Sequence, residues 1–450
     1  MSQVHSKTRR KSWRALSKLL TVVLALQIIG LLLWGLTWPR KAPTVLSFVV
    51  PQDEVEPWEI VIADFEKAHP DIQIYLVTDP ERTYTTDQRK AIYTADFQTE
   101  VAQYDLVYMD TVWTSQFANQ LVDLMPLVKQ DQVDLAGFLP SELPDKPQIN
   151  GLYRLPMRSD VGVLYYRKDL LDQSALSLPS TLTDLDQIVN TLKRTSDVSF
   201  GYLWQGRSYE GLVANVYEVM SSFGATWIDP ESQQVGLDTP STIRAIQLLR
   251  DLIQQGISPL IVTDYTEQSS LEVFKQGQAV FLRGWPYFWT EMAQQGWDER
   301  VAIALPFSFT DNPGVGCRGG WGFGISQNAA HPDAAWEAIK YFTSEAAQKR
   351  FVLASGFLPS RRSLFQDADI IEQYPMMPQM LEFLEHSSVF RPSIPQYDAA
   401  SEILQTALGK ILRGQQSAAA ALKQAQEETE VLLGKGDREM GRWGRGQGRG

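Results

Sequence analysis

The chain has 450 residues, 44% of them apolar and 21% charged, the make-up of a globular protein too long for one ordinary core. Eight of its 41 Lys/Arg and none of its 53 Asp/Glu lie in residues 1–41, so the rest carries 33 bases against 53 acids, a net of −20. That balance argues against nucleic acid or anionic lipid as the main partner. A single cysteine, Cys317, excludes intramolecular disulfides and gives little reason to expect a redox nucleophile.

Residues 1–18 form a basic tip, with Lys7, Arg9, Arg10, Lys11, Arg14 and Lys18. The uncharged run 19–38 that follows is long enough to cross a bilayer, for which about 20 residues suffice. Basic residues on its N-terminal side predict that this end stays cytoplasmic and that the remainder is exported. No small-x-small cleavage site follows, and Trp34, Trp38 and Pro39 stand at the exit. The expectation is therefore an uncleaved transmembrane signal-anchor, with a cleaved signal as the alternative. The pair Arg9-Arg10 is a weak match to twin-arginine export. No cysteine follows the run, so lipid attachment there is closed.

Thr44–Val50 reads as a strand, Pro57–Ala68 as a helix with apolar residues at helical spacing, and Asp71–Val77 as an alternating strand. Thr86–Gln98 reads as a helix, Tyr104–Met109 as a buried strand and Phe117–Leu121 as helical, with Leu124–Val128 closing the unit. This β-α-β-α-β order predicts a parallel sheet covered by helices. Strands are expected at Gly151–Arg154 and Val161–Tyr166, then helices at Thr183–Lys193, Tyr209–Ser222 and Thr239–Gln255. Ala279–Arg283, Val301–Leu305 and Trp321–Ser326 read as strands, and Pro332–Thr343 as a helix. Asp398–Leu433 is Ala-rich and helical, and the Gly/Arg-rich residues 434–450 are expected to be disordered.

The segment Gly277–Trp289, GQAVFLRGWPYFW, holds Trp285, Tyr287, Phe288 and Trp289 within five positions around Pro286. A loop or helix start there can present one or two rings to a cleft. Rings with an OH or NH suit a ligand with apolar faces and a polar rim, such as a sugar. The plain alternative is that all four pack in a core. Gly314-Val-Gly316-Cys-Arg-Gly319 matches G-x-G-x-x-G, but a loop precedes it and a strand follows, which argues against dinucleotide binding. No P-loop, nucleophile elbow or zinc-protease motif occurs, and the four His are far apart, so no cofactor or metal is expected. Asp110 ends a strand, where open α/β sheets bind ligands, and Asp160 precedes another. A carboxylate accepts hydrogen bonds and can bridge neighbouring sugar hydroxyls. Loop capping is the plain reading of either residue, and a glycosidase acid and nucleophile is a rival one.

Taken together these patterns resemble the extracellular solute-binding proteins of ABC importers, in the branch of maltose- and trehalose-binding proteins. The likeness spans about residues 44–433. It rests on Thr85-Thr-Asp-Gln-Arg89, Tyr104-Asp-Leu-Val-Tyr-Met-Asp110 with Trp113, and Leu155-Pro through Asp160-Val-Gly-Val-Leu-Tyr-Tyr-Arg-Lys-Asp169. Further matches are Gly277-Gln-Ala-Val-Phe, Trp285-Pro-Tyr287, Gly319-Gly-Trp321-Gly-Phe-Gly-Ile-Ser326, the helix from Pro332 to Phe342, and Ser355-Gly-Phe-Leu-Pro-Ser-Arg361.

The resemblance implies an α/β, two-lobed periplasmic-binding-protein fold, behind one transmembrane helix, with sugar held in the cleft between hinged lobes. Lobe boundaries are expected at 44–156 with 301–343, and 157–298 with 347–433. By the resemblance, Asp110, Asp160 and Arg89 take sugar hydroxyls, and Trp285, Tyr287 and Trp321 stack on or line the rings. Gly320 lets backbone approach the ligand. Glu54, with Glu56 as its substitute, and Arg391 are further contacts. Met157 and Arg158 stand where the family often has aromatics, which leaves the exact sugar open. The implied function is a non-enzymatic, membrane-tethered periplasmic or extracellular receptor for an oligosaccharide such as trehalose, maltose or sucrose, or an osmolyte such as glucosylglycerol. Its partners would be ABC permease subunits with a separate ATPase. A non-sugar solute, an exported glycoside hydrolase and a sensory or scaffold ectodomain are the alternatives.

Overall fold

The computed structural model describes residues 42–79, 84–143, 151–229 and 231–443, with side chains as far as Gly434. The expected span 19–38 and the basic tip lie outside the described residues. Among the described residues no helix is long and apolar enough to cross a membrane.

The sequence after Thr44 folds around two mixed sheets within one compact unit. The first contains β3 (Leu106–Asp110), β4 (Leu155–Val161), β9 (Gly316–Ile325), β10 (Leu358–Pro359) and β11 (Ser388–Val389). Strand β9 is its axis, antiparallel to β3 and β4 and parallel to β11. The second sheet runs in the order β6 (Phe200–Leu203), β7 (Ala279–Gly284), β5 (Val163–Arg167), β8 (Val301–Ala304). Strands β1 (Thr44–Val49) and β2 (Ile72–Val77) form a separate pair.

Each sheet has its own aromatic core. Trp58, on the helix Val55–Ala68, is fully buried among Phe48, Tyr108, Phe323, Phe342 and Phe351, with its ring centroid 4.8–5.5 Å from all five. Under the second sheet, Trp204, Trp227 and Tyr165 are buried. The helices Glu210–Ser222, Pro240–Gln254, Tyr397–Leu412 and Ala418–Trp443 pack together on this side.

Several expectations are corrected. The two larger sheets are not wholly parallel: within them β6–β7 and β9–β11 run parallel and the other pairs run antiparallel. Residues 124–128 belong to the helix Met125–Gln130, whose early Pro126 fits a first helical turn. No strand covers 151–154; β4 starts at Leu155 and carries a bulge between Pro156 and Arg158, where the proline lacks a ladder donor. The lobe boundaries also move. Strand β8 pairs with β5, so 301–304 joins the second sheet. The helix Glu345–Ser355 packs on Val55–Ala68, so the stretch from 345 to β11 goes with the first. The final helix continues through Trp443, ten residues beyond the expected end of order at Leu433, since Lys, Arg, Glu and Met tolerate helix well.

The chain therefore crosses between the sheets at Gly162, between β8 and β9, and between β11 and the helix Tyr397–Leu412. Gly162 has no room for a side chain. A Cβ there would lie 1.8 Å from Glu218 Oε1 and 2.5 Å from Arg283 Nη2, two buried groups already paired with each other. Gly162→Ala should lower unfolding stability by about 1–3 kcal/mol, the usual cost of overpacking. A urea midpoint equal to wild type would show that the crossing is looser than its geometry states.

Candidate functional site

The candidate site is a cleft of about 460 Å³ lined by the first sheet on one side and by loops and helices flanking the second sheet on the other. One wall is the aromatic segment after β7. Tyr165 OH lies 3.0 Å from the carbonyls of both Trp285 and Pro286, which pins the turn. The helix Phe288–Ala293 then begins. Its first residue turns inward, and the buried Phe288 ring stacks on Tyr165. Trp285 and Tyr287 remain half-buried and line the cleft. Trp289 is half-buried but is not part of the lining. So the four rings divide: two face the cleft, and the all-core alternative fails.

The floor is the first sheet. Antiparallel register places Asp110 and Arg158 opposite Trp321, and Asp160 opposite Gly319. Residues two apart on a strand share a face, so Arg158 and Asp160 point the same way. Arg158 is buried and bonds Asp160 at 3.0 Å, Glu54 at 2.9 Å and Tyr108 Oη at 3.0 Å, and lies 3.9 Å over the Phe357 ring. Glu54 also accepts from Tyr108 at 3.1 Å. Its alternative, Glu56, is exposed and outside the lining. Gly320 contributes to the floor, but the space beside it belongs to Glu142, whose Oε2 would lie 2.7 Å from an added Cβ. The floor glycine thus makes room for a buried carboxylate as well as for a visitor.

Arg391 closes one end. It donates to Asp110 at 3.0 and 3.2 Å and to Glu210 at 2.6 Å. Glu210, at the start of the helix Glu210–Ser222, also accepts from Tyr397 and from Ser401 at 2.7 Å. A carboxylate from each sheet's layer thus shares one guanidinium. Nearby, Lys90 reaches Asp398 at 2.5 Å.

Arg89 differs from these. A capping box of Thr85 and Gln88 starts the helix Thr86–Asp96 and sets its first turn at the cleft. The Arg89 guanidinium lies 3.6 Å over the Trp321 ring and is only 5% exposed. Its Nε and Nη1 atoms have no hydrogen-bond partner, and the nearest carboxylate oxygen, on Glu54, is 3.9 Å from Nη1. Burial holds its pKa below the usual value. Arg89 covers Trp321, itself 6% exposed, so Trp321 lines the cleft rather than offering an open face.

Glu54, Arg89, Asp110, Asp160, Trp285, Tyr287, Gly320, Trp321 and Arg391 all line this one cleft. Asp53, Tyr209, Glu210 and Glu267, not among the sequence-predicted contacts, also line it, as does Arg158, which stands out in the sequence only as a departure from the family pattern. Alternation with Asp160 along a strand was the signal for Arg158. Glu210 carried none, since a first-turn carboxylate is ordinary helix chemistry. No group of three or more acidic, His or Cys side chains that could hold a metal occurs among the described residues. Cys317 is buried and its thiol is pushed up to about 12 by that burial, so it is a poor nucleophile. The G-x-G-x-x-G match runs into β9 with no helix after it.

Two α/β sheets, three crossings and a polar cleft with aromatic walls define a binding-protein architecture. Residues 51–349 match the family described as bacterial extracellular solute-binding protein, and the chain belongs to that family. A probable ABC transporter-binding protein of Deinococcus radiodurans is 26% identical over 362 residues, covering 78% of this chain and 85% of the relative. The mannitol-binding protein of Pseudomonas aeruginosa is 25% identical over 399 residues, covering 81% and 87%. The maltose-bound structure of MalE3 from T. maritima superposes with a TM-score of 0.81 at 27% identity, covering 87% of this chain and 100% of that one.

Asp53 stands at the cleft mouth, reached by solvent yet ringed by the walls. Desolvation, with the neighbouring Glu54 charge, pushes its carboxyl from 3.8 to about 6. The folded state then holds this proton more tightly than the unfolded chain. Stability from this group is full below pH 3.8 and is lost as pH rises to about 6. Asp53→Asn should therefore gain in melting temperature relative to wild type across that window. A difference that stays flat with pH would remove the raised carboxyl.

Proposed function

We propose that this cleft captures an uncharged polyhydroxylated solute, a short oligosaccharide or a polyol, for an ABC permease powered by a separate ATPase. The observation that carries this reading is Arg89, a buried guanidinium with two unpartnered nitrogens in the cleft that the half-buried rings Trp285 and Tyr287 also line. Buried donors without acceptors are costly, and ligand hydroxyl oxygens would supply them. Ring faces for apolar sugar surfaces and carboxylates for hydroxyl hydrogens complete the match. The names of the relatives, one binding mannitol and one solved with maltose, point the same way. The first sheet and the loops and helices flanking the second line the cleft, so a bound solute would draw the two sides together by hinge motion, to the extent that it binds the closed form better.

The disaccharides trehalose, maltose and sucrose and the osmolyte glucosylglycerol are the candidates of this reading, with mannitol added by the comparison. Roles for the nine lining residues as ligand contacts belong to it too, as does tethering by the run 19–38. A glycoside hydrolase is disfavoured because the family is one of binding proteins and Asp110 and Asp160 are both held by arginines, although burial pushes the Asp160 carboxyl up to about 7, a general acid's range.

Intrinsic fluorescence of the protein titrated with these five compounds should saturate at micromolar concentration with at least one, and no free monosaccharide should accumulate. Trp285→Ala should weaken that ligand about tenfold or more, roughly 1.4 kcal/mol, with an unchanged melting temperature. Silence across the panel from folded protein would sink the sugar and polyol reading.

A further inference from the structure

Beneath the aromatic wall lies a second ionic group that no lining role explains. Arg283, the penultimate residue of β7, is fully buried. It donates to Glu218 at 2.6 and 3.1 Å and to Gln205 Oε1 at 3.3 Å. Gln205 in turn donates to Ser270 at 2.8 Å and to the Arg283 carbonyl at 3.0 Å, and accepts from Asn215 at 3.1 Å. Glu218 makes one more contact, accepting from the Cys317 backbone N–H on β9 at 3.0 Å. Its carboxylate occupies the space left by the missing side chain of Gly162. One ion pair therefore touches two of the crossings between the sheets.

The free face of this guanidinium is turned to the cleft wall. Its carbon lies 4.0 Å from the centroid of the Trp285 ring. A lysine would neutralise Glu218 equally well but would offer no plane to lie under an indole. Trp285 is only half-buried. Its angle therefore depends on what lies beneath it.

We propose that Glu218 and Arg283 are positioning residues that hold the Trp285 ring in its ligand-facing orientation and tie it to the crossing strands. Neither residue lines the cleft. This rests on the reading of Trp285 as a ligand platform, and the test separates the two.

The full chain is labelled with 5-fluorotryptophan, and the ¹⁹F resonance that disappears in Trp285→Phe assigns the ring. The double variant Glu218→Gln/Arg283→Met removes both charges, so neither is left buried alone. Its Trp285 resonance should shift or broaden without ligand, and its maltose affinity should fall about tenfold. In a Trp285→Ala background the same two changes should lower affinity less than twofold, the non-additivity of groups acting through one another. Arg283→Lys keeps the ion pair, serves if the double variant does not fold, and should move the same resonance. An unmoved resonance, or an equal loss of affinity with and without Trp285, overturns the proposal. If wild type ignores maltose and the wider panel, the sugar reading falls, and the resonance still decides the positioning role.

Discussion

Buried guanidinium groups organise this cleft, and most of its other polar residues answer to them. Taking a cation out of water is expensive unless partners replace the lost hydration. Arg158 is answered by Glu54, Asp160 and Tyr108 Oη, and Arg391 by Asp110 and Glu210. Arg283 is answered by Glu218. Arg391 keeps one nitrogen, Nε, unmet, and Arg89 has two unmet nitrogens, no carboxylate within hydrogen-bond distance and the Trp321 ring against it. The carboxylates are therefore a fixed framework around three cations, and the fourth, Arg89, is the one most short of acceptors.

That framework explains why the site is built from distant pieces of chain. Glu54 and Arg158 are 104 positions apart, and Asp110 and Arg391 are 281 apart. Strand β9 brings them together by pairing with β3 on one edge and β4 on the other, with Trp321 opposite both Asp110 and Arg158. Such long-range pairing is costly to close, and the aromatic cluster around Trp58 is the packing that offsets it.

Much of this was legible in the residues. Periodicity located most long helices, and the family resemblance pointed to nine positions that converge on one cleft. What escaped has physical reasons. Strand β4 hides because Pro156, Arg158 and Ser159 break the apolar alternation that marks a strand. Partner choice in the sheets could not be deduced, since a strand's own pattern does not say whether its neighbour runs with it or against it. Lobe boundaries slipped because the chain changes sheet at Gly162, a single residue with no composition signal, returns at β9 and stays with the first sheet as late as β11. Glu210 and Arg158 were overlooked because ordinary surface chemistry and buried pairing use the same residue types.

The Arg391 bridge changes how occupancy of this cleft should be pictured. Asp110 already accepts from a guanidinium before any solute arrives. A hydroxyl that reaches it must share or displace a charged donor, so uptake there is a swap of partners rather than a gain of one. Swaps of this kind add little to overall strength, and they discriminate sharply by placement. A molecule whose hydroxyls fall even slightly out of line loses the old bond without completing the new one.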